Sequence, residues 1–280
     1  TMVVCGLPAA PGTSRMNCFS APAVTGSVSL KLAQLEWMKL KRSMTAKAIL
    51  AVYAVLVPVM YWMLSLIEIG PIRIPLAGYQ FPDAYQLTAW CASWFNLMVG
   101  VIIIVYTTNE IKFKTQRQNT IDGLRKIDVI FSKFIVVLGL SVVVTIYTML
   151  VAMVAGLING GPNSIFDGIE MIGVYFISTL GYFSFAYFFA NLVRLPALAI
   201  IIYIFSTIIE GIVGLIAVQE YAQFFPLSNF ADLVPFPKQF FIIEVPNLYM
   251  MTTPQASLLA LFYISIFVAA SYWIIKRRDI

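Results

Sequence analysis

The sequence predicts an all-α integral membrane protein with six transmembrane helices, and three observations carry that expectation. Hydrophobic residues make up 60% of the chain and charged residues 11%, with a mean hydropathy of +0.88. A soluble domain has about half apolar and a quarter charged residues. Six apolar runs are long enough to cross about 30 Å of hydrocarbon, which takes roughly 20 helical residues at 1.5 Å each. Lysine and arginine fall almost entirely on one side of those runs.

Residues 1–28 are rich in Pro, Gly, Ser and Ala, with no cationic start and no apolar core of signal-peptide length. They read as a disordered cytoplasmic tail or an expression or gene-start artefact, and the six-span domain occupies 29–280. A pre-helix, LEWMKLKRS (Leu35 to Ser43), precedes the first span near Met44 to Ile67. The others lie near Ala84 to Thr108, Val129 to Ile158, Gly168 to Val193, Leu195 to Val218 and Ala256 to Ile275. Only NLVRLP divides the fourth from the fifth. It reads as a tight reversal, because proline restricts the residue before it and tolerates a helix's first turn; one very long helix, giving five spans, is the alternative. Between the last two spans Pro226, Pro235, Pro237 and Pro246 break the chain.

Sixteen of the 18 basic residues lie on one side of this frame, and only Arg73 and Lys238 lie opposite. Short loops rich in Lys and Arg stay cytoplasmic, so both termini are expected there. Topology and anionic lipid headgroups account for the net charge of +5, with no nucleic-acid partner. Histidine is absent, and Cys5, Cys18 and Cys91 form no CxxC pair. This argues against a disulfide framework, a thiolate and imidazole metal site, and the Ser/His and Cys/His nucleophile pairs. No GxxxxGK[ST] loop and no GxGxxG turn occurs. No catalytic residue, cofactor or metal is therefore assigned to this chain; ATP, if used, binds another.

The connection KFKTQRQNTIDGLRKIDVIFSK (Lys112 to Lys133) holds six basic residues. It fits a short surface helix bent near Gly123, with Ile121, Leu124, Ile127 and Ile130 recurring every three residues. Either lipid alone holds it, or it docks a soluble protein. Glu210, in FSTIIEGIVG, sits within the fifth span, where a charge costs at least about 2.5 kcal/mol and must face protein or water. It reads as a packing residue or as a pathway or gate residue, and Gly211 and Gly214 beside it permit close helix approach. The aromatic run from Tyr175 to Phe189 reads as lipid-facing packing, and Trp37, Trp62, Trp90, Trp94 and Trp273 as interface anchors.

In this order the pre-helix, RQNTIDGLRKIDVIFSKF (Arg117 to Phe134), FPLSNFADLVPFP (Phe225 to Pro237) and the terminal KRRDI (Lys276 to Ile280) resemble the type-2 ABC transporter permease family, the membrane halves of many bacterial exporters. The resemblance runs from Ser29 to Ile280 and implies a multi-pass permease of the bacterial cytoplasmic (inner) membrane. It also implies a dimer with a second copy or a homologous permease, and cytoplasmic ABC ATPase subunits that bind ATP and Mg. Thr120, Ile121, Asp122, Gly123, Leu124 and Arg125 would form the coupling helix that contacts the ATPase. Glu36, Trp37, Lys39 and Lys41 would lie flat in an interface helix, and Glu220 to Pro254 would fold back as a re-entrant extracytoplasmic segment. The implied function is ATP-driven export by alternating access. A secondary transporter or channel, or a membrane assembly subunit without transport, are the rivals. Few membrane-embedded charges and no visible inverted repeat weigh against the first. The apolar interior leans towards lipids, hydrophobic peptides or drug-like molecules as substrates.

Overall fold

The computed structural model describes residues 3–4, 19–20, 36–66, 68–69, 72–73, 79–112, 126–160, 164–216, 223–236 and 251–277. Within them the helices are α1 (36–42), α2 (Met44–Leu66), α3 (Asp83–Ser93), α4 (Asn96–Lys112), α5 (Lys126–Asn159), α6 (Glu170–Val193), α7 (Pro196–Ile216), α8 (Pro226–Asp232) and α9 (Thr253–Arg277). Strand pairing among the described residues is confined to Val3–Val4 with Phe19–Ser20 and Glu68–Ile69 with Ile72–Arg73.

Helices α2, α5, α6, α7 and α9 are each long and apolar enough to cross a membrane, and α3 with α4 passes the same test as a pair bent by 48°. The span expected as one helix over 84–108 is therefore broken, at Trp94 and Phe95. No proline or glycine explains the break. The Ser93 hydroxyl donates to the Trp90 carbonyl (2.7 Å), and the fully buried Asn96 side chain bonds across to α6 instead of facing its own helix. Side chains inserted at a break take over backbone groups that the helix ladder releases. A 48° bend deflects the chain without reversing it, so Asp83 and Glu110 lie at opposite ends of the bundle.

Helix α6 is the centre. Of its most apolar stretch 67% is buried, against 11% for α7, and it packs on α3, α4, α5, α7, α8 and α9. This corrects the lipid-facing reading of Tyr175 to Phe189: Tyr175, Phe183 and Tyr187 are fully buried. The reversal at NLVRLP is borne out, and the single-helix alternative falls. Arg194 adopts a left-handed conformation (φ 61°), its N–H donates to the Ala190 carbonyl (3.2 Å), and Pro196 opens α7.

Four helices meet in a buried hydrogen-bond chain near the break. The Tyr53 hydroxyl on α2 pairs with Thr148 on α5 and Tyr175 on α6 (both 2.9 Å), Tyr175 donates to Asn96 Oδ1 on α4 (3.0 Å), and Asn96 Nδ2 donates to Thr179 on α6 (3.3 Å). Segment 223–236 tucks into one end of the bundle. Ser178 donates to the Phe230 carbonyl (2.7 Å), eight residues, or about 12 Å, along α6 from its start. Trp90 lies in the last turn before the break and Trp94 within it, and the Trp90 ring packs edge to face on Phe236 with centroids 4.8 Å apart.

Candidate functional site

At the end of the bundle opposite α8, α1 lies across α4 and α5. On this short helix Glu36 and Leu40, one turn apart, point inwards, and Lys41 and Arg42 point outwards. The Trp37 ring rests on α5, its nearest atom 3.1 Å from where a Cβ on Gly139 would stand, a close contact that a larger residue there would have to push back by a few tenths of an ångström. The inward face of α1 thus carries a carboxylate among apolar side chains, which is why its faces do not separate in the sequence.

That carboxylate belongs to a buried charged cluster. Tyr106 and Glu110 stand one turn apart on α4, and Lys133 faces them from α5. The Tyr106 hydroxyl donates to the Glu36 carboxylate and lies 3.2 Å from the Glu36 carbonyl. Lys39 Nζ bridges Glu36 Oε1 (3.1 Å) and Glu110 Oε1 (3.2 Å), and Lys133 Nζ donates to Glu110 Oε2. Glu36 and Lys133 are 1% and 2% exposed. Among the described residues two carboxylates face two ammonium groups, the kind of pairing under which charges tolerate burial. The Lys133 ammonium also sits 5.4 Å from the Tyr106 ring centroid.

Burial alone would lower the Lys39 ammonium, but Glu110, then Glu36, and the hydrogen bonds to both outweigh it and raise its pKa above the ordinary 10.5. Its contribution to stability is therefore whole at neutral pH and is lost only as pH rises through that raised value. A cavity of about 370 Å³ opens beside the cluster, its lining including Lys39, Ser43, Tyr106, Glu110, Ala46 and Ile102. Among the described residues no three His, Cys, Asp or Glu side chains gather as a metal site.

The cluster's position gives it meaning. Glu110 lies two residues before the end of α4, Lys133 two turns into α5, and residues 113–125 connect those two helices. Thr120 to Arg125 lie outside the described residues. Of the four residues expected in an interface helix, Glu36 and Lys39 enter the cluster, Trp37 rests on α5, and Lys41 faces out with its ammonium 6.0 Å from the Trp37 ring centroid. Sequence reasoning missed Tyr106, Glu110 and Lys133. It counted Lys133 among the cations of the connection although the span expected near Val129 to Ile158 already contained it.

Glu210 lies elsewhere. It is half-buried on α7, six residues before the helix end, and its Oε1 accepts the Ser228 N–H (2.8 Å) in the first turn of α8. Unpaired amides at a helix start favour a carboxylate. A Cβ on neighbouring Gly211 would meet nothing within 4 Å among the described residues.

Residues 32–219 match the family model described as ABC-2 family transporter protein, which covers about two thirds of the chain and every residue of the charged cluster. No curated protein matches the chain.

Proposed function

The chain belongs to the ABC-2 family of transporter membrane proteins, and from that premise we propose that it is the permease subunit of an ATP-driven exporter whose ATPase is carried on separate cytoplasmic chains. In this reading it pairs with a second copy or a homologous permease in a bacterial inner membrane, both termini face the cytoplasm, and Thr120 to Arg125 dock on the ATPase, where ATP and Mg bind.

The single observation that supports coupling is the ion-paired cluster at the base of residues 113–125. A push on that connection reaches the ends of α4 and α5 together, because Glu110 and Lys133 bind one helix to the other. Lys39 and Glu36 add α1, so three elements move as one. Helix α4 passes the displacement to α6, its main neighbour in the core. Above it, the break at Trp94 and Phe95 lets α4 shift with less disturbance of α3. Alternating access then consists of that end opening and closing as the two ATPase subunits part and meet.

The test separates docking from tethering. Ile121→Ala with Leu124→Ala, and separately Gly123→Pro, are expected to insert normally yet to lose co-purification with the ATPase or to lose substrate-stimulated hydrolysis. A docking helix depends on a few central side chains, worth more than about 1 kcal/mol each, whereas lipid would replace the same apolar contacts at little loss. Full assembly and full transport in both variants would reduce the connection to a lipid-bound tether.

A further inference from the structure

The first turn of α2 and the last turns of α4 lie at the charged end of the bundle, and together with α1 they line the cavity of about 370 Å³. Its size sits at the small end of ligand sites, which run from about 300 to 1,000 Å³. Its lining follows the gradient of a bilayer. On α4 it runs from Ile102 through Val105 to Asn109 and Glu110, and Ile102 stands eight residues, or about 12 Å, along the axis from Glu110. The headgroup layer is roughly 5 to 8 Å deep on each face, so the Asn109 end lies among headgroups and the Ile102 end reaches hydrocarbon. Only 17% of the most apolar stretch of α2 is buried, which puts this helix, and the cavity at its start, on the outer side of the bundle.

Four side chains bring hydrogen-bond donors to the polar end, and each has accessible surface. The Lys39 side chain is 48% exposed; an ammonium has three donors, and Glu36 and Glu110 take two. The Ser43 oxygen accepts the Ala46 N–H (3.3 Å), which leaves its own O–H to give. Thr45 is exposed and Asn109 partly exposed, and neither side chain is hydrogen-bonded to another among the described residues. Glu110 is the one acid in the lining, and both its oxygens are engaged, Oε1 by Lys39 and Oε2 by Lys133. The cavity thus offers a positive charge and spare donors beside apolar side chains, the complement of an anion joined to an acyl glycerol.

We propose that this cavity seats the headgroup of a membrane phospholipid: the phosphodiester accepts hydrogen bonds from Lys39, Thr45 and Asn109, and the glycerol with the first acyl carbons lies along Val105 and Ile102. Inorganic phosphate would find the same donors but leave the apolar lining bare, so the lipid is the source that the lining selects. Once bound, the phosphodiester ties α1 and the start of α2 to the end of α4, beside the pairs that Lys39 makes with Glu36 and Glu110. The proposal requires only that the chain spans a membrane, and it stands whether or not an ATPase couples to it.

The full chain, purified in a maltoside detergent, is photolabelled with a trace of phosphatidylglycerol carrying a diazirine beside its glycerol, and the adducts are mapped by mass spectrometry. Labelling of residues 39–46 and 102–110 is expected to stand at least about fivefold above that of residues 270–277, which end α9 at the same end of the bundle. Unlabelled phosphatidylglycerol should displace the probe, and diacylglycerol, which lacks the phosphate, should need about tenfold more, the ratio that one charge-assisted hydrogen bond commands. Thr45→Val with Asn109→Leu removes two donors that lie outside the ion pairs and is expected to weaken retention of the probe about tenfold. Lys41→Gln with Arg42→Gln, on the outward face of α1, should change it by less than about twofold. If the Thr45 and Asn109 variant does not fold, the comparison of phosphatidylglycerol with diacylglycerol on the unaltered chain decides alone. Even labelling of the cavity segments and of 270–277, or equal displacement by diacylglycerol, overturns the proposal. So does displacement by inorganic phosphate at the concentration where phosphatidylglycerol acts. A larger loss in the Lys41 and Arg42 variant than in the Thr45 and Asn109 variant also overturns it, because the lipid would then answer to diffuse surface charge.

Discussion

Lys133 shows how a buried cation is kept. It lies inside α5, 2% exposed, and its ammonium is held by Glu110, which Lys39 also engages. Replacing it with methionine takes from Glu110 its buried partner and keeps the half-exposed Lys39. Breaking such a pair from one side costs about 3 to 5 kcal/mol, and the remaining Lys39 places the expected loss near the lower bound. Glu110→Gln in the Lys133→Met background should recover much of it, because the stranded charge is gone. Unfolding of the four members of this double-mutant cycle in one detergent measures the coupling, and strict additivity would deny the pair. Glu210 makes a gentler case. Its carboxylate accepts the Ser228 N–H, so Glu210→Ala should lower stability by about 1 to 2 kcal/mol and Glu210→Gln, which keeps an oxygen acceptor, by less than half as much. If Glu210→Gln instead leaves stability unchanged and alters transport-coupled ATPase activity, the residue acts on the pathway.

Helices carry these residues to their partners, and their packing is where the sequence was least legible. Lengths of apolar run exposed the spans, and Arg194, Leu195 and Pro196 exposed the reversal between α6 and α7, because both signals are local. The break at Trp94 and Phe95 had no proline or glycine to announce it; beside it Asn96 reaches Thr179 and Tyr175, 83 and 79 residues away. Which apolar helix is central was equally hidden, since lipid and protein are both apolar neighbours and periodicity does not separate them. The charged cluster could be read only in part: Glu36 and Lys39 stood out in a short basic helix, whereas the pairing of Glu110 with Lys133 spans the connection between two helices. Close approach of α6 to α8 supplies a test at this scale. A Cβ on Gly181 would come within 2.6 Å of the fully buried Phe230 ring. Gly181→Ala is expected to lose about 1 to 3 kcal/mol by overpacking, and Gly181→Ala with Phe230→Leu to regain part of it. An unchanged unfolding midpoint in the single variant would mean that α8 does not seat there.

For the whole molecule the open quantity is orientation, and the fold sharpens the argument from charge. Starting at α1, each crossing, with α3 and α4 counted as one bent span, returns the chain to alternate ends. Lys39, Lys41, Arg42, Lys47, Lys133, Arg194, Lys276 and Arg277 then share the end that holds the charged cluster, while Asp83, Asp167, Glu170 and Asp232 share the other. Internal pairing reduces the count of free cations there, since Lys39 and Lys133 are neutralised by Glu36 and Glu110. Exposed Lys41, Arg42 and Lys47 still carry the bias at the first span. The positive-inside rule counts basic residues near span ends, so the cluster end should face the cytoplasm. Burial decides where to place the probes. Asn229 is 2% exposed and would escape labelling whatever its side, whereas Ser164 and Ala231 are exposed at the acidic end and Lys41 at the basic end. With Cys5, Cys18 and Cys91 replaced, single cysteines at Ser164 and Ala231 should react with an impermeant maleimide in intact cells. A cysteine at Lys41 should react only after the membrane is opened. The reverse pattern would put the charged cluster, and the 113–125 connection above it, outside the cell and out of reach of any cytoplasmic ATPase.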